Sequence, residues 1–228
     1  MSKFLKIGHR GAKGYVTENT LESIVKAIDL DVDGVEIDVH VCKTGELVVF
    51  HDFILDRITN GVGTIANLTL TDIKKLKVDN QFKIPTLIEV LDLIDNTIVI
   101  NIELKGEGTA IPTDHIVKDY IDNKGWALDN IIVSSFKHSE LLELYNINPN
   151  IPLGVLTEDN FSEALAFANV IKAKAIHPKF SLLTKLNVAQ AQALGYKINT
   201  WTVNTKQDIK QAISYQVDAI ISDFPDRL

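Results

Sequence analysis

Cysteine occurs once in the chain, at position 42, and methionine only at position 1. A lone thiol excludes an intramolecular disulfide and a cysteine-based zinc cluster, and it suits a reducing compartment. No stretch approaches the ~18–20 apolar residues of a membrane-spanning helix. The opening MSKFLKIGHRG carries too short an apolar run for a secretory signal. Positive charge is in deficit: 23 lysines and arginines face 30 acidic residues, for a formal net charge of −7. That balance argues against general binding to nucleic acid or to an anionic membrane surface. Low-complexity tracts, linkers and internal sequence repeats are missing as well. What remains, 46% hydrophobic and 23% charged over 228 residues, reads as one soluble, cytoplasmic globular domain over 1–228 with ample material for a core.

What the chain does contain is an apolar strand-like run followed, again and again, by a helix-like segment. Strands are predicted over 4–9, 35–41, 98–104, 130–135, 152–157, 173–178, 197–203 and 218–223. Helices are predicted in TLESIVKAIDL, TLIEVLDLI, HIVKDYIDNKG, HSELLELYNI, FSEALAFANVI, LLTKLNVAQAQALG and KQDIKQAISY. Several have Thr or Asp near the start, and Gly125 or Gly195 at the end. This alternation implies βα units and a parallel sheet. Eight units fit an α/β fold of the closed TIM (β/α)8 type. The alternative, an open doubly wound sheet, lacks a glycine-rich phosphate fingerprint after the first strand. Strands recur every roughly 20–30 residues except for one gap of roughly 67, well over one βα unit. That gap holds a second β-run, GELVVFHD (45–52), and then polar, turn-rich sequence. Residues 52–85 are therefore read as a small inserted subdomain after the second strand.

In such a barrel, functional residues come from the carboxyl ends of the strands. Those ends carry His9 and Arg10, then Glu36, Asp38 and His40, then Glu103 and Lys105. Ser135 and Phe136 follow, then Thr157, His177, Trp201 with Asn204, and Asp223. VEIDVHV (35–41) sets Val35, Ile37, Val39 and Val41 on one face of a strand and Glu36, Asp38 and His40 on the other. Glu103, in NIELK, shares its parity with Asn101 and Lys105 on the next barrel strand. Three carboxylates converging on one mouth raise one another's pKa. A hard cation that takes oxygen ligands, Mg²⁺ or Ca²⁺, relieves that conflict, whereas three acids without a histidine triad suit zinc poorly. The alternative is that Arg10 and Lys105 neutralise the acids as salt bridges.

Thr44-Gly45 is a tight-turn signal. A two-residue loop there sets Lys43 opposite Glu46 and Asp38 opposite His51, with Cβ atoms ~5 Å apart. A glycine bulge would slip this register by one and turn His51 away. His51 and His9 are the acid–base candidates beside the acids. His115 and His138 are expected to face solvent and His40 to lie beyond the barrel rim, with His177 a weaker substrate contact. Trp201 is either an aromatic wall for a small substrate's carbon atoms or simply core. Two histidines, a divalent cation, Arg10 and Lys105 together suit a phosphate diester. The cations offset charge on the phosphoryl oxygens, one histidine deprotonates the attacking hydroxyl, and the other protonates the departing alkoxide.

The stretches HRG (9–11), ENTLES (18–23), DGVEIDV (33–39), TGELVVFHD (44–52) and LDRITNGVG (55–63), with IPTLIEVL (84–91), NIELK (101–105), WTVN (201–204) and DAIISDFPD (218–226), resemble the glycerophosphodiester phosphodiesterase family. The resemblance runs along nearly the whole chain. It implies a (β/α)8 barrel with a small subdomain inserted after the second strand, and His9 and His51 as the acid–base pair. It further implies Glu36, Asp38 and Glu103 as ligands of Mg²⁺ or Ca²⁺, Arg10 and Lys105 on the phosphate, and Trp201 on the glycerol side. The implied reaction converts a small-molecule glycerophosphodiester to glycerol 3-phosphate and an alcohol; the acidic charge and the lack of a targeting signal argue against stable membrane association. In the mechanism commonly drawn for the family, the glycerol 2-hydroxyl attacks first and water opens the cyclic phosphate. Departures are small: Val16-Thr17 stand where a proline is common, and Ile58 replaces a usual threonine. A phosphatidylinositol-type phospholipase C would share the barrel and a histidine pair but usually shows apolar rim residues. A non-catalytic binding barrel should have lost a histidine or a metal acid.

Overall fold

The computed structural model describes residues 4–228. The first half comprises β1 (Leu5–His9), α1 (Leu21–Asp29), β2 (Gly34–Val41), β3 (Leu47–Val49), α2 (Leu70–Ile73), α3 (Leu87–Ile94), β4 (Val99–Leu104) and α4 (Ala110–Lys124). Then come β5 (Ile131–Ser135), α5 (His138–Ile147), β6 (Leu153–Thr157), α6 (Phe161–Val170), β7 (Ala175–Pro178), α7 (Lys185–Ala193), β8 (Lys197–Thr200), α8 (Lys206–Ser214) and β9 (Ala219–Ser222). Parallel neighbours run β1-β9-β8-β7-β6-β5-β4-β2, and β1 pairs with β2 to close the ring. The result is a TIM barrel of eight parallel strands. β3 lies outside the ring, antiparallel to β2. No helix among the described residues is long and apolar enough to cross a membrane.

The two faces of β2 account for its alternating sequence. Val35, Ile37 and Val39 are fully buried in a shell of apolar side chains shared with the helices, among them Ile24 and Ala27 of α1 and Leu87 and Leu91 of α3. Glu36 and Asp38 face the barrel interior, in register with Asn101 and Glu103 of β4. The strand is thus central, and its polar face lines a site rather than a solvent edge.

Two local readings are corrected. The helix expected from His115 begins at Ala110. Pro112 is tolerated in that first turn because an N–H there has no acceptor within the helix. The carboxylate of Glu140 in α5 takes the N–H groups of Gly108, Thr109 and Ala110 at 2.8, 2.9 and 3.0 Å and so caps α4 from outside. The second correction concerns the β2–β3 hairpin. Val39 pairs with Val49 and Val41 with Leu47, and the Phe50 N–H donates to the Asp38 carbonyl at 3.0 Å. Asp38 therefore lies opposite Phe50 and not opposite His51. Gly45, at φ 97°, adds a left-handed residue to the turn and slips the register by one. His51 leaves the ladder and enters the mouth from a loop.

Residues 52–85 contain α2, which the sequence reading did not foresee, a 3₁₀ turn at Ile65–Asn67 and no barrel strand. Leu55, Ile65, Ile73, Val78 and Ile84 gather with Cys42, Val48 and Phe50 into an apolar cluster separate from the main core.

Candidate active site

The HRG turn after β1 begins the site. Gly11 has φ 85°, and a Cβ there would stand 2.5–2.7 Å from Ser23 atoms, so only glycine lets the turn lie against α1. The Ser23 hydroxyl donates to the Arg10 carbonyl at 3.0 Å. So held, the Arg10 backbone N–H donates to Glu36 Oε2 at 3.0 Å, and its guanidinium donates to Glu18 Oε1 at 2.7 Å. The Arg10 Nε stands 3.3 Å from Asp38 Oδ2.

Glu36, Asp38 and Glu103 are buried and can each turn one oxygen into a space where all three lie within 4.8 Å of one another. Asn19 clamps Asp38 by donating to Oδ2 at 2.8 Å and accepting from its N–H at 3.3 Å. Lys105 Nζ donates to Glu103 Oε1 at 2.9 Å. Burial opposes ionisation of Asp38, but Arg10 and Lys105 hold it below the usual carboxylate range. Burial, with the charges of Asp38 and Glu103, pushes Glu36 well above that range. Burial and Asp38 raise Glu103 to about 7. The salt bridges expected as the alternative form as well: Arg10 pairs with Asp38, and Lys105 with Glu103 and, at 3.7 Å, with Asp38. Asp38 Oδ1, moreover, is buried without a hydrogen-bond partner. A donor set of three clustered carboxylates, all oxygen, fits a hard divalent cation.

His9 Nδ1 lies 2.6 Å from Asp223 Oδ1, and the other Asp223 oxygen accepts from Asn204 at 2.8 Å. His51 Nδ1 lies 2.7 Å from Asp52 Oδ1, whose second oxygen accepts from Arg57 Nε at 2.5 Å. Burial outweighs these carboxylates and lowers both histidines from the ordinary value. Both rings line one cavity of about 230 Å³ with Arg10, Glu36, Glu103 and Lys105. Phe136, Leu156, Trp201 and Ile221 supply its apolar lining. Trp201 meets Phe136 edge-on at 5.5 Å and donates its indole N–H to the His177 carbonyl at 2.8 Å.

All eight residues proposed from the sequence for catalysis, metal and substrate thus converge on this mouth, Asp38 by way of its neighbours. The remaining histidines do not. His177 is fully buried, 3.0 Å from the Asn199 amide, and held at about 3 by burial, away from the cavity lining. His40 is buried rather than beyond the rim, with Nε2 3.2 Å from the His51 carbonyl. His138 is half-buried, stacked on Phe167 at 3.8 Å, and His115 is exposed. Sequence reasoning missed Glu18, Asn19, Asp52 and Arg57, and gave Asn204 and Asp223 no task. Glu18 and Asn19 lay in a quoted motif, but nothing in their spacing marked them as partners of Arg10 and Asp38.

A (β/α)8 barrel whose mouth combines an oxygen-ligand cluster, two carboxylate-held histidines and two anchored cations has the makings of a phosphodiesterase. Residues 9–227 match the Glycerophosphoryl diester phosphodiesterase family, and the chain belongs to that family, as a phosphoric diester hydrolase. It is 35% identical over 240 residues to a glycerophosphodiester phosphodiesterase of Caldanaerobacter subterraneus subsp. tengcongensis, covering 99% of this chain and 96% of the relative. It is 36% identical over 231 residues to one from Bacillus altitudinis, covering 96% and 94%. Among solved structures, an Oleispira antarctica phosphodiesterase in complex with the product sn-glycerol-3-phosphate superposes with a TM-score of 0.89 at 29% identity, covering 97% of this chain and 93% of that one.

Proposed function

We propose that the protein hydrolyses glycerophosphodiesters to glycerol 3-phosphate and an alcohol, with His9 and His51 as the acid–base pair and Mg²⁺ or Ca²⁺ held by Glu36, Asp38 and Glu103. The observation that carries this reading is the shared cavity. Two imidazoles, each with Nδ1 taken by a carboxylate, open there beside the acids, Arg10 and Lys105. The product bound in the Oleispira neighbour supports the glycerol 3-phosphate half of the substrate.

With Nδ1 engaged by aspartate, each ring turns Nε2 to the reaction. One Nε2 accepts the proton of the attacking hydroxyl, and the other, protonated, donates to the leaving alkoxide, which is otherwise a poor leaving group. A bound divalent cation supplies Lewis-acid stabilisation of the phosphoryl oxygens. Arg10 and Lys105, held by Glu18 and Glu103, add fixed positive charge that needs no reorganisation. The Trp201 and Phe136 rings offer an apolar wall to the glycerol carbons. Residues 52–85 act as an insertion at the mouth, and the enzyme works in the cytoplasm on soluble diesters from phospholipid breakdown, without stable membrane association or nucleic-acid binding.

The test is dialysis against EDTA followed by product analysis on a panel of glycerophosphodiesters. Activity should vanish and return with Mg²⁺ or Ca²⁺, and the products should be glycerol 3-phosphate and the free alcohol. Full activity in metal-free protein would sink the ligand assignment. A phosphorylated head group as product would place bond cleavage on the wrong side of phosphorus.

A further inference from the structure

Arg57 has no part in the chemistry just described, yet it touches two of the carboxylates that organise it. We propose that Arg57, from the inserted segment, is a positioning residue for His51, tying Asp52 to the buried Glu18 of the barrel; this rests on the two-histidine reading above. Arg57 Nε donates to Asp52 Oδ2 at 2.5 Å, while Nη2 and Nη1 donate to Glu18 Oε1 and Oε2 at 2.6 and 3.4 Å. The opposite oxygen of Asp52 holds His51 Nδ1 at 2.7 Å. Glu18 also accepts from Arg10 at 2.7 Å. One unbroken series of charged contacts therefore runs from the His51 ring to the cation proposed for the phosphate.

His51 needs such a brace where His9 does not. His9 ends β1, which is paired on both sides within the ring. Its aspartate is fixed by Asn204, which also accepts the Asp223 N–H at 2.9 Å. His51 lies two residues past the end of β3, which is itself outside the ring. Its loop has no ladder to set the ring, so side chains must. Arg57 is about half exposed, and an exposed ion pair alone contributes little. This one ends on a Glu18 side chain only 5% exposed, which Arg57, Arg10 and Lys13 hold at about 2 against the opposing effect of burial. A guanidinium presents a planar fork that reaches two carboxylates at once, whereas an ammonium is a point charge.

The experiment compares Arg57→Ala, Arg57→Lys, His51→Ala and the Arg57→Ala/His51→Ala double variant by steady-state kinetics. The substrates are glycerophosphocholine and a nitrophenyl diester, at saturating Mg²⁺ or Ca²⁺. Arg57→Ala should lower kcat by about 10- to 100-fold, the size expected when the partner orienting a functional imidazole is lost, with KM within about threefold. Arg57→Lys should recover little. In the His51→Ala background the same change should do nothing further, because the group it positions is gone. The nitrophenyl ester should alter the Arg57→Ala loss in the same direction as the His51→Ala loss, which a merely structural role would not do. Multiplying losses in the double variant, full rescue by lysine, or a rise in KM alone would each overturn the proposal. If His51→Ala turns over normally, the two-histidine reading itself is lost; if only Arg57→Ala does, the loss is confined to Arg57. Should Arg57→Ala fail to fold, Asp52→Asn breaks the same series nearer the ring and must lower kcat by at least as much, again with KM little changed.

Discussion

His9 and Asp223 stand 214 positions apart in the chain and 2.6 Å apart at their side chains. They meet because β9 pairs with β1, so the group that orients the first histidine arrives with the last strand. Asp223→Asn keeps the shape but offers His9 an amide that no longer demands a proton on Nδ1. Turnover should fall on the order of 10²–10⁴-fold through the wrong tautomer, while the melting temperature stays nearly constant. Kinetics and a thermal melt on the same preparation check this, and unchanged turnover removes Asp223 from the mechanism.

His9→Ala and His51→Ala should each lower turnover by roughly 10²–10⁴-fold on a natural diester. A nitrophenolate leaves without needing a proton, so one variant should be largely rescued on that ester; that one lacks the acid. Activity should follow a bell-shaped profile set by two macroscopic ionisations. Burial lowers both imidazoles, and a base stops working when protonated, so the acid limb should fall below the ordinary histidine value of about 6.5. A limb above that value in a kcat/KM profile contradicts the assignment.

Glu103 offers a test with two opposite signs. Its value of about 7 lies above the ordinary 4.5, so in the metal-free protein ionised Glu103 opposes folding at alkaline pH. Glu103→Gln should therefore stabilise the metal-free protein at pH 8 by up to about 3 kcal/mol. Most of the gain should vanish at pH 5, where the folded protein already holds that proton. The same change removes one of the three carboxylates proposed as ligands, so any stabilisation by added Mg²⁺ or Ca²⁺ should shrink. Melts with and without the cation at the two pH values read both effects.

Glu18 works the other way. It sits at about 2 instead of the ordinary 4.5, so its contribution is fully present above about pH 4.5 and is lost as pH falls toward 2. The amount at stake is up to about 3 kcal/mol. In denaturant titrations between pH 7 and 3, Glu18→Gln should flatten the acid limb of stability, and an unchanged limb would show that other carboxylates dominate it.

What could be read from the sequence follows from which signals are periodic. The barrel strands were legible because a strand with one face on the helices and the other on the interior repeats every two residues, as Val35 to Val41 do. The acid cluster was legible for the same reason, since parity alone sets Glu36, Asp38 and Glu103 toward one interior. The hairpin register was not, because Thr44-Gly45 suits both a two-residue loop and one lengthened by a left-handed glycine. Asp52 and Arg57 escaped because they lie in sequence without regular period, where spacing carries no information about partners. Pro112 hid the first turn of α4 by resembling a helix break.

The second apolar cluster has a consequence for how this protein could diverge. Leu55, Ile65, Ile73, Val78 and Ile84 rest on one another and on three hairpin residues, apart from the shell that supports the barrel. Substitutions in two packing units with few shared contacts combine nearly additively. The inserted segment proposed for the rim should therefore behave as a replaceable cassette, its loops open to rewriting by drift or by engineering at little cost to the barrel, provided the tie from Arg57 to Glu18 survives.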